Sequence, residues 1–260
     1  MAAISIAGVA LDYPGTPPLR ALHDCSFEVS NGEFTAVLGP SGCGKSSLLH
    51  LLAGFEFPTT GSVTVAGAAV QKPSPERGVV FQEAALFPWL SVWDNVLFGP
   101  RVLGRPAADT AARAREMLAL TGLSDFAHHL PAQLSGGIRQ RVALARVLTL
   151  GSAVLLMDEP FGALDAQTRL DMQELLLDLW QRLRPTVVFV THDIDEAILL
   201  TDTIHVMSAR PGQIIRRIEV PLDRPRGLAD TTSAAFNGLK SDILRLLRPA
   251  HLERTEASRL

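Results

Sequence analysis

Cysteine is nearly missing from this chain: Cys25 and Cys43 are the only 2 among 260 residues. Two thiols cannot build a disulfide framework, which argues against a small secreted scaffold and for a reducing compartment. A surplus of either charge is missing too, since 24 Lys and Arg stand against 27 Asp and Glu, for a net charge of −3. That balance leaves no basic footprint for a polyanion, so nucleic acid is not an expected partner. No apolar run reaches the ~18 residues of a membrane span; the longest candidate, VLTLGSAVLLM, contains Gly151 and is flanked by Arg146 and Asp158. The start, MAAISIAGVALD, lacks the basic residues of a signal peptide and alternates like a strand. Internal repeats and low-complexity tracts are absent as well.

What is present is apolar material: 47% of the residues, with a mean hydropathy of +0.20. The length suits one large or two small domains with a full core, and the hydropathy hints at surface reserved for another chain. The first ~85 residues read mostly as strands, AISIAGVALDY, CSFEVSNGEFTAVL with a turn at Asn31-Gly32, GSVTVAG and RGVVFQ, interrupted by one helix. From about Pro88 to Leu150 the pattern turns helical and rich in Ala and Leu, which predicts a helical subdomain inserted at about 88–150. AVLLMDEP and TVVFVTH then read as strands buried on both faces of a parallel sheet. Between them, RLDMQELLLDLWQRL sets Met172, Leu175, Leu176, Leu179, Trp180 and Leu183 on one helical stripe. TDTIHVMSARPGQIIRRIEV predicts a hairpin turning at Pro211-Gly212. The alternation of strands and helices makes the fold α/β, with one unit over 1–222. From Asp223 the chain reads as a polar linker and one terminal helix, a short extension over 223–260.

LGPSGCGKSSLLHLL matches the G-x-x-x-x-G-K-[ST] phosphate loop from Gly39 to Ser46, between an apolar run and a helical pattern. Gly39, Gly42 and Gly44 let the chain turn tightly and approach an anion, with Pro40, Ser41 and Cys43 between them and Ser47 following. The helix adds the positive end of its dipole. Lys45 is the point charge for the outer phosphates and Ser46 a hydroxyl ligand for Mg²⁺. Asp158 and Glu159 close an apolar strand and supply what that loop lacks, a metal-side carboxylate and a base to orient water. His192 closes the next strand and reads as a sensor of the γ-phosphate; Gln82 ends GVVFQ and can reach both metal and water. Tyr13, the single tyrosine, precedes Pro14-Gly15, where its ring either stacks on adenine or packs in the core. The aromatics of EAALFPWL, Phe87 and Trp89 beside Leu86 and Leu90, either dock a partner or fill the core.

A second seat follows. Ser135, Gly136 and Gly137 open a helix whose apolar side carries Ile138, Val142 and Ala145, with Arg139, Arg141 and Arg146 elsewhere. It is either a capping motif or an anion seat. Two phosphate seats with one set of catalytic acids make more sense if the seats serve different nucleotides, the second completing the site of a neighbouring copy.

In this order, Tyr13, the loop Gly39–Ser47, Gln82, LSGGI at Leu134–Ile138, LLMDE at Leu155–Glu159, GALD at Gly162–Asp165 and His192, the chain resembles the ATP-binding subunits of ABC transporters over nearly its whole length. The resemblance implies a P-loop fold of ABC type: a RecA-like mixed core sheet, an N-terminal antiparallel β subdomain and an inserted helical subdomain. It implies ATP and Mg²⁺, with Ser46, Gln82 and Asp158 on the metal and Lys45, Gln82, Glu159 and His192 in hydrolysis. A head-to-tail dimer would clamp ATP between the phosphate loop of one copy and Ser135, Gly136 and Gly137 of the other. Two transmembrane permease subunits and a solute-binding protein would complete an assembly on the cytoplasmic face of a bacterial plasma membrane. Within the family, ERGVVFQ, LFPWLSVWDNV, FGALDAQTR and SARPG are similar to importers of nitrate, sulfonates and taurine, the taurine type above all. Two departures stand out: Ile138 replaces the usual glutamine after LSGG, and VLTLGS replaces a run of small residues after Arg146. Two other readings fit less: an ABC ATPase working on nucleic acid would show basic arms or coiled coils, and a P-loop kinase leaves LSGGI and His192 unexplained.

Overall fold

The computed structural model describes residues 2–247. Two sheets share the chain. The first is antiparallel, in the order β2 (Leu19–Ser30), β1 (Ala2–Tyr13), β4 (Thr60–Val65), β5 (Ala68–Ala69). In β2, Cys25, Phe27 and Val29 face the core while Ser26, Glu28 and Ser30 face out, the period-two pattern of a half-buried strand. The second sheet has six strands in the order β10 (Ile214–Glu219), β9 (Thr203–Met207), β3 (Phe34–Leu38), β8 (Thr186–Thr191), β7 (Val154–Asp158), β6 (Arg77–Val80). From β9 to β6 the pairs are parallel; β10 runs antiparallel at the edge and forms the expected hairpin with β9. Every residue of β3, β8 and β9 is buried, because helices or the other sheet cover both faces. The Asn31-Gly32 turn is there, but it carries the chain from one sheet to the other.

Alternation along the central strands divides the core. Val37, Val188 and Val190 pack with α1 (Lys45–Ala53) and the antiparallel sheet; Ala36, Leu38, Val187 and Phe189 pack with α5 (Ala166–Leu183) and α6 (Ile194–Leu200). The expected stripe of α5 is the face it buries, with Met172, Leu176, Leu179 and Trp180 deepest. Between β6 and β7 lie α2 (Val92–Val102), α3 (Ala107–Leu120) and α4 (Gly136–Leu150), which share a separate apolar cluster including Val96, Leu118 and Val142. Helix α4 is buried on more than the predicted side: Val147 and Leu148, from the unusual VLTLGS stretch, pack into the main core.

The stretch after Asp223 differs from the predicted polar linker. Arg224 donates to Asp202 (2.8 Å) and the Leu200 carbonyl (2.7 Å) and lies over the Trp180 ring. Buried Arg226 donates to the carbonyls of Ile198, Thr201, Val220 and Leu222. A residue count of polar side chains cannot see this, because a guanidinium serves as the cap for chain ends that tertiary structure brings to it. Helix α7 (Ala234–Leu247) then seats Phe236 and Ile243 in the main core. The rest of the predicted extension, 248–260, lies outside the described residues. No helix among the described residues is long and apolar enough to cross a membrane.

Candidate nucleotide site

Four adjacent parallel strands, β3, β8, β7 and β6, end at one edge of the sheet, where α/β folds bind ligands. Each delivers one part of the predicted set: the phosphate loop after β3, His192 after β8, Asp158 and Glu159 at the end of β7, Gln82 after β6. In the loop, Gly44 has φ +109°, and a Cβ there would lie 2.9 Å from the Ala21 carbonyl oxygen, so glycine is required for both reasons. Lys45, 4% exposed, donates from Nζ to the carbonyls of Gly39 (2.9 Å) and Pro40 (3.1 Å) and stands 3.5 Å from Glu159 Oε1. Pro40, Ser41, Gly42 and Ser46 are exposed, while Gly39 and Cys43 are buried beneath them.

Ser46 Oγ donates to Asp158 Oδ1 at 3.1 Å. Burial pushes the Asp158 carboxyl above its usual range, helped by the neighbouring Glu159 and opposed by the Ser46 hydrogen bond. Glu159 occupies the left-handed region (φ +42°), fixed by its N–H on the Val190 carbonyl and by the Gly162 N–H on its own carbonyl. This turn aims the carboxylate across to β8, where Oε2 meets His192 Nδ1 at 2.9 Å. Holding a non-glycine residue in that region costs about 1–3 kcal/mol, and strain of this kind collects at functional sites.

Hydroxyl and carboxylate oxygens are the donors that Mg²⁺ takes, and Ser46 and Asp158 present them side by side. No group of three His, Cys, Asp or Glu forms a metal cage among the described residues. The donor set fits a Mg²⁺ that keeps phosphate oxygens and water as its other ligands.

Gln82 is exposed, next to Gly162, and makes no side-chain hydrogen bond among the described residues. The Tyr13 ring packs at the edge of the N-terminal core, and its hydroxyl donates to Ser47 Oγ at 3.1 Å. The second seat opens α4. Ser135 caps α4 through the Ile138 N–H (3.3 Å), and Gly136 lines a cleft of about 420 Å³ with Gln82, Arg139 and Leu164. No hydrogen bond or ion pair among the described residues joins Ser135, Gly136 or Gly137 to the first seat. Gly137 is buried against α5, where a Cβ would lie 2.3 Å from Thr168 Cγ2.

Sequence reading missed two groups. Arg210 Nε donates to the Gly42 carbonyl at 3.0 Å; SARPG stood out as a string, but only the adjacency of β9 and β3 places it by the loop. Glu196, buried and pushed up to about 6 by desolvation, accepts from Thr191 Oγ1 (2.8 Å) and so braces the strand end that bears His192. An acid four residues beyond His192 was the available signal.

A family model described as ABC transporter matches residues 22–162. A putative ATP-binding protein of Brucella abortus is 46% identical over 92% of this chain and 91% of its own. The taurine import ATP-binding protein of Pseudomonas entomophila is 46% identical over 93% of this chain and 92% of its own. Among solved structures, an ATP-binding cassette captured as a dimer in a post-hydrolysis state with ADP and Pi superposes with a TM-score of 0.73 at 31% identity, covering 85% of this chain and 100% of that one. With the phosphate loop, the two strand-end acids and His192 gathered on one sheet edge of an ABC-type fold, the chain belongs to the ABC transporter family, as one of its ATPases.

Proposed function

We propose that this chain is the ATP-hydrolysing subunit of an importer for a small anionic or zwitterionic solute, taurine or another sulfonate first. The observation that carries the hydrolytic part is the Glu159 carboxylate, set between Lys45 (3.5 Å) and His192 (2.9 Å) beside the Ser46–Asp158 pair. In this reading the loop N–H groups and Lys45 hold the phosphates, and the Tyr13 ring stacks on adenine. Glu159 orients a water and accepts its proton as the water oxygen bonds to the γ-phosphorus; the bond to the bridging oxygen breaks, giving ADP and phosphate. His192 contacts the γ-phosphate and keeps Glu159 aimed. Ser46, Asp158 and Gln82 would hold Mg²⁺, which neutralises charge on the phosphates.

The ATPase unit is residues 1–222, with the helical block 88–150 inserted and the tail from 223 as an extension. The lack of any polar contact between the two seats supports a head-to-tail dimer in which Ser135, Gly136 and Gly137 of a second copy close over the first copy's nucleotide. The dimeric cassette with ADP and Pi is consistent with that arrangement. Two permease subunits would hold the dimer at the cytoplasmic face of a bacterial plasma membrane, served by a solute-binding protein. Taurine is favoured because several relatives at 42–46% identity carry that name. Import of nitrate or another solute is the alternative, because equally similar relatives name none. The test is reconstitution with the permeases and the binding protein, asking which of taurine, alkanesulfonates or nitrate stimulates ATP turnover. Stimulation by an unrelated solute alone would overturn the sulfonate reading.

A further inference from the structure

The turn of the β9–β10 hairpin is bolted against the phosphate loop. Its Gly212 N–H donates to the Ala21 carbonyl (2.9 Å), and its carbonyl accepts from the His23 N–H (2.8 Å) and the Cys25 thiol (3.3 Å). A Cβ on Gly212 would fall 2.2 Å from the Cys43 carbonyl oxygen, so the turn touches the loop backbone directly. Ser208 Oγ accepts the Gln213 N–H (3.0 Å) and stiffens the turn from inside. From this rigid base Arg210 reaches over the loop, with Nε 3.0 Å from the Gly42 carbonyl oxygen. The guanidinium is exposed and has no carboxylate within ion-pair distance among the described residues.

An unpaired cation held at a loop built for polyphosphate is electrostatically out of place unless the loop's ligand is the anion it serves. Its bond to a carbonyl also has a directional effect. Anchoring the oxygen of the Gly42–Cys43 peptide fixes that peptide plane, and with it the Cys43 N–H, which closes the loop on the Pro40 carbonyl at 3.3 Å.

We propose that Arg210 is a positioning residue of the nucleotide site, holding the phosphate loop in its anion-binding form through the Gly42 carbonyl and adding positive charge beside the phosphates. The proposal rests on the nucleotide reading given above. It makes the hairpin turn part of the binding apparatus, although it lies about 170 residues along the chain from the loop.

The test compares Arg210→Ala, Arg210→Lys and a Lys45→Ala control in the full chain, by titration with a fluorescent ADP analogue and by ATPase kinetics. Arg210 is exposed, so its truncation leaves no cavity, and melting curves verify that each variant is folded. Arg210→Ala should weaken ADP and ATP binding alike by about tenfold, the size of one hydrogen bond from a charged group. The loss should be carried by KM rather than kcat, be absent for adenosine measured by competition, and be partly restored by Arg210→Lys. Wild-type ADP affinity in Arg210→Ala overturns the proposal, as does a lower melting temperature with unchanged affinity. If Lys45→Ala binds nucleotide normally as well, the nucleotide reading itself fails; if only Lys45→Ala loses binding, that reading stands and the role of Arg210 does not.

Discussion

Glu159 Oε2 and His192 Nδ1 lie 2.9 Å apart across two neighbouring parallel strands. The pair joins the end of β7 to the end of β8, and the backbone turn at Glu159 is what makes the contact possible. A carboxylate that meets a histidine at 2.9 Å on one side and stands 3.5 Å from Lys45 on the other is oriented from two sides.

Replacing Glu159 with Gln keeps the shape and removes the proposed base. Hydrolysis should fall by roughly 10²–10⁴, the usual cost of losing a positioned base. Nucleotide should still bind, and the variant should accumulate as an ATP-bound dimer on size exclusion. Normal turnover by this variant would remove Glu159 from the role.

Gly137 gives a steric test of the second seat. Gly137→Ala drives a methyl into Thr168 Cγ2 and should destabilise the protein by about 1–3 kcal/mol. Thr168→Ser deletes that methyl and keeps the hydroxyl that donates to Asp165. The double variant should recover the melting temperature. If it also recovers ATPase activity, Gly137 is needed for helix packing; if stability returns and activity does not, the extra methyl obstructs the partner's nucleotide.

Trp89 is 72% exposed, whereas Leu86, Phe87 and Leu90 are half-buried. Phe87 packs at a tilt on Phe98, ring centroids 4.3 Å apart, and buried Asn95 staples the loop through the carbonyls of Phe87, Leu90 and Ser91. Trp89→Ala should therefore leave the melting temperature unchanged and weaken co-purification with the permeases, while Phe87→Ala should lower the melting temperature. Undiminished co-purification of Trp89→Ala would separate this loop from docking.

Buried His205 packs on Phe27, with both ring nitrogens lacking a hydrogen-bond partner, and desolvation lowers it from 6.5 to about 4. Between those values the unfolded chain takes a proton that the folded chain refuses. Stability is therefore lost as pH falls from 6.5 to about 4, by about 3 kcal/mol in all. Glu196 acts with the opposite sign: raised from 4.5 to about 6, its ionisation costs stability as pH rises through that window, and acid relieves the cost. His205→Phe should flatten the decline of melting temperature below pH 6.5, and Glu196→Gln should steepen it. An unchanged slope in His205→Phe would rule out His205 as the acid-sensitive group.

Much of the site was legible because its residues close apolar runs: VLLMD ends in Asp158 and TVVFVT is followed by His192. A strand buried on both faces leaves its end as the solvent-facing place for a polar group, and the end of the apolar run locates that place. The long helix α5 was legible in the same way, from one stripe. What escaped depends on strand order. Arg210 meets Gly42 because β9 is a neighbour of β3, and Gly137 meets Thr168 because α4 crosses α5; neither adjacency leaves a local pattern. Arg226 escaped because its type suggests solvent, while its four carbonyl partners come from two separate stretches.

That arginine also decides where the polypeptide can safely be shortened. Ending it at Leu222, where the composition turns polar, would strip the terminal carbonyls of α6 of their donor and uncover the pocket that Phe236 fills. Because α6 begins just after His192, damage at its far end would travel to the proposed catalytic edge, and a trimmed protein would lose turnover with every motif intact.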